Sequence, residues 1–133
     1  RRFENWECYL AGKIGLGIAL DYGYEMGTSE TWKRIQTLSQ SLREALSRIP
    51  GVTVWDTGRH KCGIVTFSKA GVDPNRIKSG LADRKINVSV SSRQLTREDL
   101  VAAKVDVMVR ASVHYFNTDE ELDQMVAVVR ALD

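Results

Sequence analysis

The sequence predicts a two-layer α/β domain of the α+β kind, a small and mainly antiparallel sheet covered by helices on one face. Three observations carry that prediction. Several segments place apolar residues at the three-and-four spacing of an amphipathic helix, two late segments alternate apolar with polar residues as half-buried strands do, and turn and cap signals separate them. The resulting order is helix, helix, strand, strand, helix, strand, strand, helix. A chain of 133 residues supplies one hydrophobic core, so residues 1–133 read as a single domain.

Leu10, Ile14, Ile18 and Tyr22 fall four apart, with Leu16 and Leu20 widening the stripe, and predict a buried helix. Gly12, Gly15 and Gly17 suit close approach of another backbone, and Gly27 stops the helix. Thr28 or Ser29 caps a second helix carrying Trp32, Ile35, Leu38, Leu42, Leu46 and Ile49, ended by Pro50-Gly51. Val52 to Trp55 and Cys62 to Phe67 read as strands joined through a turn at Asp56-Thr57-Gly58. Asp73-Pro74 is a cap and a first-turn proline, opening a helix that buries Ile77 and Leu81. Ile86, Val88 and Val90 alternate with Asn87, Ser89 and Ser91; Val107, Val109, Ala111 and Val113 alternate with Met108, Arg110, Ser112 and His114. The stretch between them, Ser91 to Asp106, is long enough to be a functional loop or to hold a short helix. Thr118 and Glu121 form a capping box before a closing helix with Leu122, Met125, Val126, Val129 and Leu132 inward.

Composition excludes several classes of function. The 19 basic and 17 acidic residues leave a net charge of +2, spread without a sustained basic run, so neither nucleic acid nor a membrane surface is expected as partner. No apolar run approaches the roughly 20 residues that span a bilayer. Two cysteines, Cys8 and Cys62, are too few for a disulfide scaffold, and a cytoplasmic setting is expected. The first residue is not methionine, which suggests a piece of a longer polypeptide.

Motifs that invite chemistry mostly have simpler readings. Gly12-Lys13-Ile14-Gly15-Leu16-Gly17 lacks the order of a phosphate-binding loop and has no strand before it. His60, Cys62 and His114 match no metal-ligand spacing, so no metal is expected. Ser91, Ser92 or Ser112 with His114 resembles no nucleophile elbow. Arg110 is different, because it interrupts an apolar strand. A guanidinium there requires an anionic partner, either a structural Asp or Glu or the carboxylate of a ligand held by its two-pronged donors.

Arg110-Ala111-Ser112, then Tyr115-Phe116-Asn117-Thr118 and Glu120-Glu121-Leu122-Asp123, resembles the C-terminal signature of class V aminotransferases and cysteine desulfurases. Arg1-Arg2-Phe3-Glu4 is similar to the segment where those chains leave the large domain, and Ile86 to Ser91 is similar to their late active-site strand. The resemblance runs over nearly the whole chain. It implies the small C-terminal domain of a fold-type I pyridoxal-phosphate enzyme, a homodimer in its parent form, whose large cofactor-binding domain lies outside this chain. It implies that Arg110 holds the α-carboxylate of an amino-acid substrate and that the region from Ser89 to Gln94, with Ser91 and Ser92, lines the substrate pocket.

This sequence departs from the family at two places. No cysteine follows Cys62, whereas cysteine desulfurases carry their attacking cysteine in the pocket loop; persulfide chemistry of that type is therefore disfavoured, and transamination, racemisation or epimerisation, and carbon–sulfur cleavage without a protein persulfide all stay open. Trp6-Glu7 stands where the desulfurases place a Gly-Thr pair toward a cofactor phosphate. His60-Lys61 echoes the family's His-Lys pair but lies downstream of Arg1-Arg2-Phe3-Glu4 and reads as surface. With the Schiff-base lysine missing, the isolated chain is expected to be inactive, to bind no cofactor by itself, and to expose an apolar surface around Leu10 to Leu20 where the missing domain packs. The alternative is a standalone binding or regulatory module for a small carboxylate or a protein partner.

Overall fold

In the computed structural model, which describes residues 8–92 and 105–133, the elements follow the predicted order. They are α1 (Leu10–Glu25), α2 (Thr28–Ser47), β1 (Val52–Val54), β2 (Ile64–Lys69), α3 (Pro74–Ala82), β3 (Ser89–Ser92), β4 (Val107–Ser112) and α4 (Asp119–Ala131). The chain forms two compact units, Arg1–Trp32 and Lys33–Asp133. Among the described residues, no helix is long and apolar enough to cross a membrane.

Within the first unit, α1 is a regular helix that buries none of its residues. Leu10, Ile14, Leu16, Ile18, Leu20, Tyr22 and Tyr24 are all exposed. The spacing predicts a buried helix; the helix is present, and its burial within this chain is not. Its apolar residues are spread around the axis rather than gathered in one stripe, so one neighbour of ordinary width cannot cover them. A Cβ added at Gly15 or Gly17 would meet nothing within 4 Å. Gly27, at φ +82°, ends the element in the left-handed conformation that favours glycine.

In the second unit the sheet runs β1-β2-β4-β3, and every pairing is antiparallel. One face is dry. Val65 and Phe67 of β2 and Val109 and Ala111 of β4 meet Leu38, Leu42 and Leu46 of α2, Ile77 and Leu81 of α3, and Leu122, Met125, Val126 and Val129 of α4. Each fully buried side chain of this size stabilises the fold by about 1.5–3 kcal/mol. The two-layer architecture read from the sequence is the one observed.

Local chemistry fixes the helix ends. The Asp73 side chain accepts from Asn75 N at 2.7 Å with Pro74 in the first turn. Thr118 Oγ1 accepts from Glu121 N at 3.2 Å, and Glu121 Oε2 accepts from Thr118 N at 3.1 Å, completing the capping box. Hydrogen bonds from the Asn117 amide first and the Thr118 backbone second hold the Glu121 carboxyl below its usual value. At the opposite end of α4, Lys69 Nζ donates to the carbonyls of Val129, Arg130 and Leu132, the unpaired acceptors that every helix leaves at its C-terminus.

Several boundaries differ from the sequence reading by a residue or more, and the starts of β2 and β3 differ most. β2 begins at Ile64, not Cys62, and Cys62 is exposed. Just before the strand the chain bends at Gly63, whose carbonyl still accepts from Val113 N at 2.8 Å and where a Cβ would stand 2.5 Å from Val113 O and 2.7 Å from Ile35 Cγ2, so only glycine fits this close approach. β3 covers Ser89–Ser92 rather than starting at Ile86. Lys85 at φ 61° and the bond from Ile86 N to Leu81 O commit that stretch to the turn after α3, while Ile86 and Val88 still pack on the core.

Candidate functional site

Alternation along β4 sends Val109 and Ala111 into the core and turns Met108, Arg110 and Ser112 to the other face of the sheet. Register places Thr66 of β2 and Ser89 of β3 directly across from Arg110 on either side. Three polar side chains thus line up in one row across three strands. Arg110 is half-buried. Its Nε donates to Ser89 Oγ at 3.1 Å, and Ser89 Oγ in turn donates to the Arg110 carbonyl at 3.4 Å. Among the described residues, no carboxylate pairs with Arg110 and neither terminal nitrogen has an acceptor.

The opposite arrangement surrounds Arg43 on α2. Its Nε meets Asp56 Oδ2 at 2.7 Å, with the two side chains only 7% and 9% exposed. Nη1 donates to Ser39 Oγ at 3.0 Å, and Nη2 donates to the carbonyls of Cys62 at 2.6 Å and Ile64 at 2.8 Å. The second oxygen of Asp56 accepts from Thr66 N at 2.8 Å and Thr66 Oγ1 at 2.5 Å. This cation is matched by a buried charge and fixed acceptors, the condition under which a buried ion pair is tolerated. Sequence reasoning missed it, since Arg43 sits on a helix whose pattern assigns it no special place. The signal available was Asp56, an acid in the turn beside an apolar strand.

The structure separates the other candidates. Ser91 is buried on the same face as Ser89, opposite Met108, and Ser92 follows it at the strand end. The serine that holds the guanidinium is Ser89. Arg93 and Gln94, the rest of the expected pocket segment, lie outside the described residues, as do Arg1-Arg2-Phe3-Glu4 and Trp6-Glu7. His114 is exposed and stacks obliquely against Tyr115 and Phe116, with ring centroids 4.5 and 4.6 Å away. Among the described residues, no group of three His, Cys, Asp or Glu side chains is placed to hold a metal ion.

An open cavity of about 470 Å³ lies over Gln40, Arg43, Glu44, Val54, Asp56 and Lys61. Lys61, read from the sequence as surface, is half-buried there. The described residues do not build a site for pyridoxal phosphate. Arg43 and Asp56 in the cavity are committed to one another, the Lys69 ammonium is spent on helix carbonyls, and Gly15 and Gly17 lie within the body of α1, where backbone N–H groups serve the helix ladder and cannot cradle a phosphate.

Comparison with known proteins bears on the family and the fold. The family model described as aminotransferase class-V matches residues 2–125. The chain is 28% identical over 125 residues to a probable cysteine desulfurase of Methanothermobacter thermautotrophicus, covering 91% of this chain and 31% of that one. The fold superposes on the cysteine desulfurase CsdA from Escherichia coli with a TM-score of 0.85 at 23% identity, over 96% of this chain and 31% of that one. It also superposes on a C-DES mutant with glycine covalently linked to its PLP cofactor, at a TM-score of 0.69 and 21% identity, over 86% and 27% of the two chains. The chain spans about a third of the length of the curated relatives it matches. It belongs to the aminotransferase class-V family and shares its fold with fold-type I pyridoxal-phosphate enzymes.

Proposed function

We propose that this chain is the C-terminal small domain of a longer pyridoxal-phosphate enzyme acting on an amino acid, and that Arg110 holds the substrate's α-carboxylate. The observation that carries this reading is the state of the Arg110 side chain: anchored at Nε by Ser89, on the face of β4 away from the core, with both terminal nitrogens open among the described residues. A planar guanidinium with two parallel donors matches a carboxylate in shape and charge. Pyridoxal phosphate, when bound to the parent, supplies the electron sink for chemistry at the substrate's α-carbon. The contribution of Arg110 is orientation, which fixes the amino acid by one end and converts its binding into a reactive geometry.

Two further features belong to the same proposal. The exposed apolar residues and open glycines of α1 suit packing by the large domain of the parent, and Ser91 and Ser92 at the end of β3 belong to the pocket-lining segment from Ser89 to Gln94. The chain has no cysteine after Cys62, so transfer of sulfur to a cysteine in the pocket loop, the route expected of a cysteine desulfurase, has no acceptor in this chain. Transamination, racemisation or epimerisation, and carbon–sulfur cleavage without a protein persulfide fit the residues present.

The test is kinetic. In the full-length enzyme, Arg110→Ala should raise KM for the amino acid on the order of a hundredfold while the visible absorbance of the bound cofactor is retained. Arg110→Lys, which keeps the charge but loses the fork, should recover only part of that loss. Unchanged kinetics in Arg110→Ala would remove the assignment.

A further inference from the structure

Resting on that reading of Arg110, we infer that Ser89 is the positioning residue that sets how the guanidinium meets its ligand, reserving the two terminal nitrogens for an end-on grip on the carboxylate. An arginine offers two forks, one between its terminal nitrogens and one between Nε and the nearer terminal nitrogen. Ser89 occupies the second. Its hydroxyl oxygen takes the Nε proton at 3.1 Å, and its own proton points to the Arg110 carbonyl at 3.4 Å, so one hydroxyl is tied to both ends of the same residue.

The other hydroxyl flanking Arg110 is turned to Asp56 instead, and among the described residues no hydrogen bond joins it to the guanidinium. Thr66 stands across from Arg110 on β2, but its Oγ1 is held by Asp56 Oδ1 at 2.5 Å, and Asp56 is itself locked to Arg43. One flanking side chain is thereby withdrawn from the guanidinium and the other is directed to it. The side-on approach is closed, and a carboxylate reaching this face meets two N–H groups from the terminal nitrogens. A strand position suits the purpose because cross-strand partners on one face are held about 5 Å apart by the sheet itself, so the contact requires no loop to order when ligand binds.

The experiment compares Ser89→Thr with Ser89→Val, which share shape and strand propensity and differ in the hydroxyl. Two probes discharge the absorbance of the cofactor in the full-length enzyme: aminooxyacetate, which carries a carboxylate, and O-methylhydroxylamine, which does not. The ratio of their rates reads the grip independently of the natural substrate. Ser89→Val is expected to lower the ratio about tenfold, and Ser89→Thr to stay within about twofold of the wild type. On an Arg110→Ala background, Ser89→Val should have no further effect, since the group it positions is gone.

A second readout requires no cofactor. In the 133-residue chain, the NMR signal of the Arg110 Nε–H should be slow to exchange in the wild type and in Ser89→Thr, and exposed to exchange in Ser89→Val. If Arg110→Ala leaves the probe ratio unchanged, the carboxylate reading itself fails. If Arg110→Ala collapses the ratio but Ser89→Val behaves as Ser89→Thr, or its effect persists without Arg110, the positioning role is overturned while the carboxylate reading stands.

Discussion

Arg43 on α2 and Arg110 on β4 are both set among apolar neighbours, yet the fold surrounds them in opposite ways. Arg43 is nearly inaccessible, paired with Asp56 and supplied with acceptors from Ser39, Cys62 and Ile64. Arg110 is half-buried and anchored through Nε to Ser89, with its terminal nitrogens open among the described residues. A cation whose donors are satisfied internally contributes to holding the fold, because removing either partner strands a buried charge. A cation left partly unsatisfied on a solvent-reachable face contributes little to folding and retains its donors for a ligand. On the proposed reading of Arg110, the same side chain serves structure in one place and recognition in the other, by what its neighbours accept.

Removing Arg43 should have the largest effect. Arg43→Met leaves Asp56 buried without its cation and should destabilise the chain by about 3–5 kcal/mol in urea denaturation. Adding Asp56→Leu to Arg43→Met should restore part of that loss, because the pair is coupled. Gly63→Ala comes next. Its Cβ would collide with Val113 O and Ile35 at the point where α2 and β2 present acceptors to Arg43, and a cost of about 1–3 kcal/mol is expected by the same measurement.

Smaller still is the cap of α4. Thr118→Ala should cost about 1 kcal/mol. Its partner Glu121 has a carboxyl held below its usual value in the folded chain, so the capping contribution is present above the ordinary carboxylate range and is lost as pH falls through the lowered folded value. Glu121→Gln should therefore flatten stability against pH below about pH 4.3 relative to the wild type. The smallest effect on folding belongs to Arg110→Ala, expected within about 0.5 kcal/mol. A loss as large as that of Arg43→Met would erase the contrast between the two cations.

Much of this was legible in the sequence because the signals are local. The three-and-four spacing of Leu38, Leu42 and Leu46, the Asp73-Pro74 start and the Thr118/Glu121 box each act within one or two turns of chain, and each element appeared where its residues placed it. Arg110 was legible because a charge in an apolar strand violates the pattern around it. Contacts that depend on register were not legible. That Ser89 and not Ser91 faces the guanidinium follows from how β3 and β4 align, and that Arg43 reaches Asp56 follows from packing between elements 13 residues apart. The helix α1 shows the complementary limit: periodicity reports an apolar surface and does not say whether its cover lies in the same chain.

The most direct measurement is a crystal structure of the full-length protein with an amino acid or a carboxylate analogue bound. The α-carboxylate should lie end-on at the two terminal nitrogens of Arg110, with Nε still on Ser89 and the Arg43–Asp56 pair undisturbed. A carboxylate held elsewhere, with Arg110 turned into an ion pair with an Asp or Glu of the enzyme, would contradict it.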